Sequence, residues 1–189
     1  MAGVSDVDDG VVEYWDVLNS LGLPTGRLVA RDTGDGDPAK RLRSGEYHRV
    51  VVVCVFGTTN RMLIQQRTAN KLGYPNLWDL TAGGSAIAGE TSQAAAAREL
   101  AEEVGINIDL TGRPPHVSVA RPDVFVDYYL VDGPDLDPAS LVLQVEEVQA
   151  VRWATEAEIL TLIAEGRFWP YPPSLINLFF DRHSDPVTT

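Results

Sequence analysis

Apolar and polar residues are distributed along this chain in runs that predict several β-strands. The run from Val50 to Phe56 is continuously apolar and rich in β-branched residues, which is typical of a strand buried on both faces. A turn follows, and RMLIQQR predicts the returning strand. The segments VFVDYYLV and VEEVQAVRW predict later strands, the second one opened by Glu146 and Glu147. The intervening ANKLGYPNLWDLTAGG, with its proline and paired glycines, predicts a loop.

Three segments have helical patterns. The clearest helix runs from Thr91 to Val104: Thr91 or Ser92 caps it, four alanines extend it, and Gly105 ends it. Thr155 with Glu158 forms a capping box that opens the helix AEILTLIAEG, and SLINLFF predicts a short last helix. Strands and helices mix without regular βαβ alternation. The fold class predicted is therefore α/β (α+β), with helices packed on a mixed sheet.

The first part of the chain predicts an ordered lead-in to this domain. VVEYWDVLN and GRLVAR are joined by SLGLPT, so the segment is either a β-hairpin or a strand after a short helix. Residues 1–10 predict a loose acidic terminus. The aspartates of the loop DTGDGDPAK do not follow the alternation of a calcium-binding loop, which argues against calcium there.

Composition and charge narrow the classes of function. The 189 residues suit one domain, and the formal net charge of −12 argues against nucleic acid as a partner. There is no apolar run long enough to span a bilayer, and the start does not resemble a signal peptide. We therefore expect a cytoplasmic protein without a membrane partner. The single cysteine, Cys54, lies in an apolar run and predicts a buried core residue.

The helix from Thr91 gathers acidic residues on one face. At about 100° per residue, Glu99, Glu102 and Glu103 lie close together around the axis. Arg98 is four residues before Glu102 and can pair with it. Three acids near a helix C-terminus repel each other, so either solvent or a hard cation such as Mg²⁺ must compensate. The residues expected to face the core are Ala97, Leu100, Ala101 and Val104.

The spacing around these acids resembles the Nudix box. From Gly84 the chain runs GSAIAGETSQAAAARELAEEVGI, which agrees with the box at every specified position. EYHRVVVVCVF, RMLIQQR and PNLWDLTAGG also resemble the strands and loop before the box, most closely in the branch with type I isopentenyl-diphosphate isomerases. The resemblance implies an α/β/α sandwich with a mixed sheet. The domains expected are an N-terminal extension at 1–45, a Nudix domain at 46–180 and a tail at 181–189.

The resemblance also implies a chemistry and its residues. The reaction expected is hydrolysis of the diphosphate linkage between a nucleoside and another moiety, with Mg²⁺, or alternatively Mn²⁺, as cofactor. A cation would let this acidic protein hold an anionic substrate. Arg98 would orient the glutamates, and Glu90 would support the loop before the helix. The implied metal ligands are Glu99, Glu102, Glu103 and a carbonyl of Gly83 or Gly84.

The base and the substrate contacts are less constrained by the sequence. Glu103 is the first choice of general base, with Glu146 or Glu147 as alternatives. Arg67, Lys71 and Arg49 precede the box and could bind the anionic end of a small diphosphate substrate, or be surface charges. Three further residues have weaker claims, two as ring-stacking aromatics and one as a catalytic histidine: Tyr47, Trp78 and His48. The extension at 1–45 also offers a surface for a homodimer.

Three other functions compete with hydrolysis, and the sequence argues against each. The isomerases carry a catalytic cysteine just before the box region, where this chain has Trp78-Asp79-Leu80-Thr81 without cysteine or histidine. WPYPPS at 169–174 echoes an element of NADH pyrophosphatases but lies far from the box, so we interpret it as cover for a core edge. A binding module without turnover would be expected to have lost box glutamates, and none is lost here.

Overall fold

The computed structural model describes residues 12–31, 41–71, 73–133 and 136–184. The acidic start at residues 1–10 lies outside the described residues. So does the loop DTGDGDPAK, where the sequence argues against a calcium site. No helix within the described ranges has the length and apolar character needed to cross a membrane.

The lead-in is a β-hairpin, which confirms one of the two predicted alternatives. Strands β1 (Tyr14–Leu18) and β2 (Pro24–Ala30) pair antiparallel. Gly22 lies in the turn with φ of 73°, a backbone conformation that glycine adopts without strain. The amide of Ala88 donates to the Tyr14 carbonyl at 2.7 Å. The hairpin is therefore fixed to the loop that precedes the acidic helix.

A mixed sheet forms the centre of the described domain. Its strands are β3 (His48–Phe56), β4 (Met62–Arg67), β5 (Trp78–Asp79), β6 (Ala82–Ser85), β7 (Val117–Ala120), β8 (Val124–Asp132) and β9 (Val148–Ala154). The central strand β3 is parallel to β8 and antiparallel to β4 and β6. The order β5-β4-β3-β8-β7 is extended by β6 on β3 and by β9 on β4.

The alternation of side chains along β3 produces a core on each face of the sheet. Val51, Val53 and Val55 pack with helix α1 (Ser92–Val104), whereas Cys54 and Phe56 belong to the core on the opposite face. That second core includes side chains from α2 (Glu156–Ala164) and α3 (Pro173–Ser184). The sheet thus lies between helices, as expected for an α/β/α sandwich.

The helix ends are set by the predicted residues. Thr91 is the N-cap of α1 and its side chain accepts from the Ala94 amide, while Gly105 ends the helix with φ of 71°. Thr155 and Glu158 form the predicted capping box of α2. The expectation for the buried face of α1 was partly wrong: Ala97 and Ala101 are only partly buried. The buried positions are Ala95, Ala96, Glu99, Leu100, Glu103 and Val104.

Three predicted boundaries differ from the structure. The segment predicted as a loop contains β5 and β6, whose two and four residues are too short to show a strand pattern. Strand β9 begins at Val148, so Glu146 and Glu147 lie in the turn before it and not in the strand. Helix α3 continues to Ser184, because Phe179 and Phe180 anchor its last turns in the core.

Candidate active site

The paired glycines bring the sheet against the acidic face of α1. Gly84 pairs with Val51 and Gly83 with Val52 in the antiparallel β3–β6 ladder. A Cβ on Gly84 would lie 2.2 Å from Oε1 of Glu99. No side chain fits in that space, so glycine is required for the backbone to approach the Glu99 carboxylate so closely.

Glu103 is a buried acid held by two donors. Its side chain accepts at Oε2 from Gln65 Nε2 at 2.8 Å and from the Gly83 amide at 3.2 Å. Burial raises the pKa of Glu103 to about 8, with a further contribution from the charge of Glu99. The two hydrogen bonds favour the ionised form but do not offset burial. Burial also raises the pKa of Glu99.

Arg98 joins three glutamates. Its Nη1 donates to Glu99 Oε1 at 2.9 Å and to Glu102 Oε2 at 3.0 Å. Its Nε and Nη2 donate to the two oxygens of Glu90 at 2.8 and 2.9 Å. The hydrogen bond from Arg98 to Glu90 raises the pKa of the guanidinium, although burial opposes this. A permanently charged side chain thus orients the acids of the helix.

Glu90 connects this cluster to the loop before α1. Its Oε2 accepts from the Ile87 amide at 3.0 Å, as expected for a residue that supports the junction of loop and helix. Burial would raise the pKa of Glu90, but the hydrogen bonds from Arg98 and Ile87 outweigh it and hold the pKa below its usual range. Glu90 is therefore an ionised anchor for Arg98.

The donor set beside the paired glycines has the chemistry that a divalent cation needs, but the described residues do not form a closed cluster of ligands. Across the described ranges, no three His, Cys, Asp or Glu side chains stand together closely enough to hold an ion. The Glu102 side chain is 51% exposed and hydrogen-bonded to Arg98, whereas Glu99 and Glu103 are buried. Burial raises the pKa of both carboxylates, so the ionised pair needs more positive charge than Arg98, which contacts Glu99, supplies. Oxygen ligands with this deficit suit a hard cation such as Mg²⁺ or Mn²⁺, with Glu102 recruited from solvent.

The basic residues predicted for substrate do not share one cleft. Arg67 lines a cavity beside Gly83 and Gly84. Lys71 forms an ion pair with Glu147. Arg49 is bound to Asp127 and to the Gly22 carbonyl, and it lines a separate cavity between the hairpin and the start of α1. Arg49, one of the three residues predicted to bind the anionic end of the substrate, thus lies apart from the paired glycines and is held at the hairpin.

Glu146 and Glu147, the two alternative general bases, differ in how close they lie to Glu103. Glu147 lies close enough for its charge to contribute to the raised pKa of Glu103. The turn is held there because Thr68 donates through its amide to the Glu147 carbonyl and through its hydroxyl to the Glu146 carbonyl, both at 3.0 Å. The Glu146 residue is exposed. Of these two alternatives, Glu147 is the one that the fold brings near Glu103.

The remaining aromatic and histidine candidates have packing contacts. The His48 ring stacks on Trp15 with 3.9 Å between centroids, and Tyr47 contacts Phe125. Trp78 lies beneath the Arg152 guanidinium at 5.0 Å. Trp78 is not among the residues that line the cavity beside the paired glycines.

Four residues that sequence reasoning did not select surround the site. Gln65 binds Glu103, and Asp79, Trp169 and Tyr171 line the cavity beside the paired glycines. This cavity of about 160 Å³, the Trp169 cavity, is also lined by Arg67 and Gln65. The WPYPPS element interpreted as core cover therefore contributes to a cavity wall. In the sequence, only the aromatic residues of this element could have indicated a cavity wall. The remaining contacts of the cavity join segments that are far apart in the chain.

Thiol chemistry has no support in the cleft. Cys54 is fully buried in the core, and burial raises the pKa of its thiol. At the position before the box, the Thr81 hydroxyl donates to the Leu63 carbonyl and accepts from the Val55 amide at 2.9 Å. Thr81 is therefore a structural link between strands.

Comparison with known proteins fits this arrangement. The NUDIX domain family matches residues 46–175. The chain belongs to the Nudix family. An uncharacterized Nudix hydrolase of Listeria monocytogenes is 42% identical over 160 residues, covering 85% of this chain and 90% of the relative. An isopentenyl-diphosphate Delta-isomerase of Nocardia farcinica is 35% identical over 126 residues, covering 64% of this chain and 70% of the isomerase.

A solved structure supports the fold. A crystal structure of a Deinococcus radiodurans protein superposes with a TM-score of 0.68 at 23% identity, covering 88% of this chain and 97% of that one. The Nudix fold, with a mixed sheet and three helices among the described residues, is therefore shown. Because this chain is similar both to Nudix hydrolases and to isomerases, the comparisons do not decide the reaction, which must be argued from the site.

Proposed function

We propose that this Nudix protein is a metal-dependent pyrophosphohydrolase that cleaves the diphosphate linkage of a nucleoside diphosphate joined to another moiety. The observation that carries the proposal is the pair of buried carboxylates, Glu99 and Glu103, placed against Gly83 and Gly84. Glu99, Glu102 and Glu103, with a glycine carbonyl, would hold the ion. A bound Mg²⁺ or Mn²⁺ supplies neutralising charge on the diphosphate oxygens and polarises the phosphoryl group.

In this proposal the side chains divide the remaining tasks. Arg98 holds Glu99 and Glu102 in place through one nitrogen, at 2.9 and 3.0 Å. Arg67, beside the paired glycines, contributes positive charge for the substrate. The Lys71 ammonium group is engaged by Glu147. Arg49 stabilises the hairpin and is not part of the proposed substrate site.

Glu103 is the proposed general base. Gln65 and Gly83 both engage its Oε2, which leaves Oε1 as the oxygen to take a proton from water. The water oxygen then bonds to phosphorus, the bridging P–O bond breaks, and the leaving phosphate takes the bridging oxygen and its electron pair. Glu147 is the second candidate, since its charge acts on Glu103.

Isomerase activity is the alternative suggested by the Nocardia relative. Two observations disfavour it: the only cysteine lies in the opposite core, and the Thr81 hydroxyl is engaged by the backbone of two strands. An isomerase needs a side chain that gives a proton to a double bond, and neither group can reach a substrate beside α1.

The proposal is tested with a panel of diphosphate compounds. The panel contains nucleotide sugars, ADP-ribose, dinucleotides, nucleoside triphosphates and isopentenyl diphosphate, each incubated with Mg²⁺ or with EDTA. We expect EDTA-sensitive release of a nucleotide from at least one nucleoside compound. Isomerisation of isopentenyl diphosphate without phosphate release would contradict the proposal. So would ligand and metal binding with no turnover, which would identify a binding module.

A further inference from the structure

A second buried acid lies at the other end of the helix that carries the glutamates. Asp127, on β8, is 1% exposed and contacts Ser92, the first residue of α1. Ser92 precedes Glu99 by about two helical turns. A carboxylate this deeply buried needs charge and hydrogen bonds to compensate its loss of water. Its partners therefore show which parts of the fold it joins.

The Asp127 carboxylate accepts hydrogen bonds from three other elements. Ser92 Oγ, on α1, donates to Oδ2 at 2.6 Å, and Ser118 Oγ, on β7, donates to Oδ1 at 2.6 Å. Arg49, on β3, forms an ion pair with Asp127, and its Nη2 donates to the Gly22 carbonyl at 3.1 Å. The carboxylate thus links β3, β7 and β8 to the start of α1 and, through Arg49, to the hairpin.

The Ser92 hydroxyl is fixed from two directions. It donates to Asp127 and accepts from the Tyr129 hydroxyl at 2.8 Å. Tyr129 is fully buried on β8, two residues after Asp127. Two hydrogen bonds from one strand therefore hold the first residue of α1 in place. These side chains form the Asp127 network: Arg49, Ser92, Ser118, Asp127 and Tyr129.

The first half of α1 has little else to fix its position on the sheet. Its buried residues there are Ala95 and Ala96, and the first long apolar side chain on the buried face is Leu100. An alanine methyl group makes far fewer contacts than a leucine side chain, so it resists rotation or sliding of the helix less. The polar contacts of Ser92 are therefore the specific constraint at this end.

A small rotation of α1 would displace the glutamates. Side chains reach about 5–6 Å from a helix axis, so a rotation of about 10° moves a carboxylate by about 1 Å. Functional groups in a metal site must be held to within about 0.5 Å of the productive geometry. Glu99 and Glu103 lie on the same rigid helix as Ser92, so an anchor at Ser92 constrains both.

From these contacts we propose that Asp127 is a positioning residue for the metal site: through Ser92 it fixes the rotation and axial position of α1, and so the placement of Glu99 and Glu103. This inference rests on the proposed function, because the quantity that Asp127 sets is the geometry of the proposed metal ligands. Asp127 acts through the helix and not by contact with the ion.

Two serine variants provide a matched test. Ser92→Ala and Ser118→Ala each remove one hydroxyl that donates to Asp127 at 2.6 Å, but only Ser92 belongs to α1. We expect Ser92→Ala to weaken Mn²⁺ binding, measured by electron paramagnetic resonance, about tenfold, as for a lost outer partner of a metal ligand. Ser118→Ala should bind Mn²⁺ with wild-type affinity. Alanine favours a helix more than serine does, so a weaker helix could not explain the loss.

A conservative variant separates positioning from general stability. Ser92→Thr keeps the hydroxyl and should recover most of the wild-type Mn²⁺ affinity. The test does not need Asp127→Asn, which would leave the partly buried Arg49 charge uncompensated and endanger folding. Both serine-to-alanine variants keep the ion pair between Arg49 and Asp127.

Equal Mn²⁺ affinity of Ser92→Ala and Ser118→Ala would overturn the inference, whether both match the wild-type protein or both are weakened. Failure of Ser92→Thr to bind Mn²⁺ more tightly than Ser92→Ala would overturn it as well. Absence of Mn²⁺ binding by the wild-type protein is a different result: it would refute the proposed function, and this inference with it. The two failures are therefore distinguishable.

Discussion

Three buried acids lie around one cleft, and each has a different set of partners. Glu99 accepts from Arg98, Glu103 accepts from Gln65 and the Gly83 amide, and Asp79 accepts from Leu80 and Tyr171. Burial raises the pKa of every one of them. Keeping these three carboxylates buried and ionised therefore costs free energy of folding. Such a cost is common at functional sites.

Asp79 gives a pH dependence of stability. Burial raises its pKa to about 6, above the ordinary value of 3.8, against opposing contributions from Leu80, Arg67 and Tyr171. The folded state therefore binds the proton more tightly, so the Asp79 contribution to stability increases as pH falls through 6 toward 4. We expect Asp79→Asn to be more stable than wild type at pH 7 by about 3 kcal/mol, with little difference below pH 4.

Urea unfolding of both proteins from pH 4 to 8 checks this prediction. Tyr171→Phe keeps the Asp79 carboxyl but removes a hydrogen bond that lowers its pKa, so it should retain the pH dependence and move it to higher pH. A stability difference between wild type and Asp79→Asn that does not change with pH would show that Asp79 is ionised throughout.

Gln65 is expected to act as a positioning residue for Glu103. Gln65→Leu retains the side-chain size on β4 but removes the donor at 2.8 Å from Glu103 Oε2. Loss of an outer hydrogen bond to a metal ligand weakens metal binding about 10–100-fold, and we expect that range for Mn²⁺ measured by electron paramagnetic resonance. Gln66→Leu is the matched control, because the Gln66 amide donates instead to the Asn76 carbonyl. Unchanged Mn²⁺ affinity in Gln65→Leu would refute the role.

The contacts of these residues explain what sequence reasoning could and could not find. The sequence predicts the grouping of Glu99, Glu102 and Glu103 because they lie close together in one helix, where the backbone geometry fixes which side chains share a face. Gln65 and Glu103 are 38 positions apart, and Tyr171 and Asp79 are 92 apart. Such pairs depend on strand register and chain topology, which no local pattern in a single sequence reports.

At the scale of elements, the site depends on the close approach of β6 to α1. Strand β6 is short, contains two glycines and pairs with β3, so its backbone reaches the acidic face of the helix. The local sequence predicts α1 and β3 well because their patterns are long. It does not predict β6, because glycines have no side-chain pattern and are uncommon in strands.

Gly84→Ala tests this approach. The new Cβ would lie 2.2 Å from Glu99 Oε1, so the carboxylate must move away from its bond with Arg98. We expect the protein to remain folded, with unfolding free energy lowered by about 1–3 kcal/mol. Mn²⁺ affinity should fall about tenfold or more, because a proposed ligand is displaced.

Gly73→Ala is the control for this substitution. A Cβ at Gly73 would have no heavy atom within 4 Å, and its carbonyl would still accept from Arg67. Its effect on stability should be within about 0.5 kcal/mol. Wild-type Mn²⁺ affinity in Gly84→Ala would contradict the role given to the glycine.

At the scale of the whole molecule, the fold joins three segments that are distant in sequence at one cleft. The hairpin supports the loop before α1, the sheet presents β4 and β6, and the segment after α2 supplies Trp169 and Tyr171. The net charge of −12 opposes the approach of an anionic substrate to the buried glutamates, which is why the proposed function includes a cation. The family match covers residues 46–175, which include the acids, the glycines and the aromatic wall.

The measurement that tests the central claim most directly is the turnover of Glu103→Gln on the nucleoside diphosphate compound that the wild-type protein cleaves. With saturating Mg²⁺, we expect kcat to fall at least about 100-fold, the loss typical of a removed general base. Glu165→Gln changes an exposed acid at the end of α2 and should keep the wild-type kcat. Full Mg²⁺-dependent turnover by Glu103→Gln would contradict the account and transfer the role of base to Glu147.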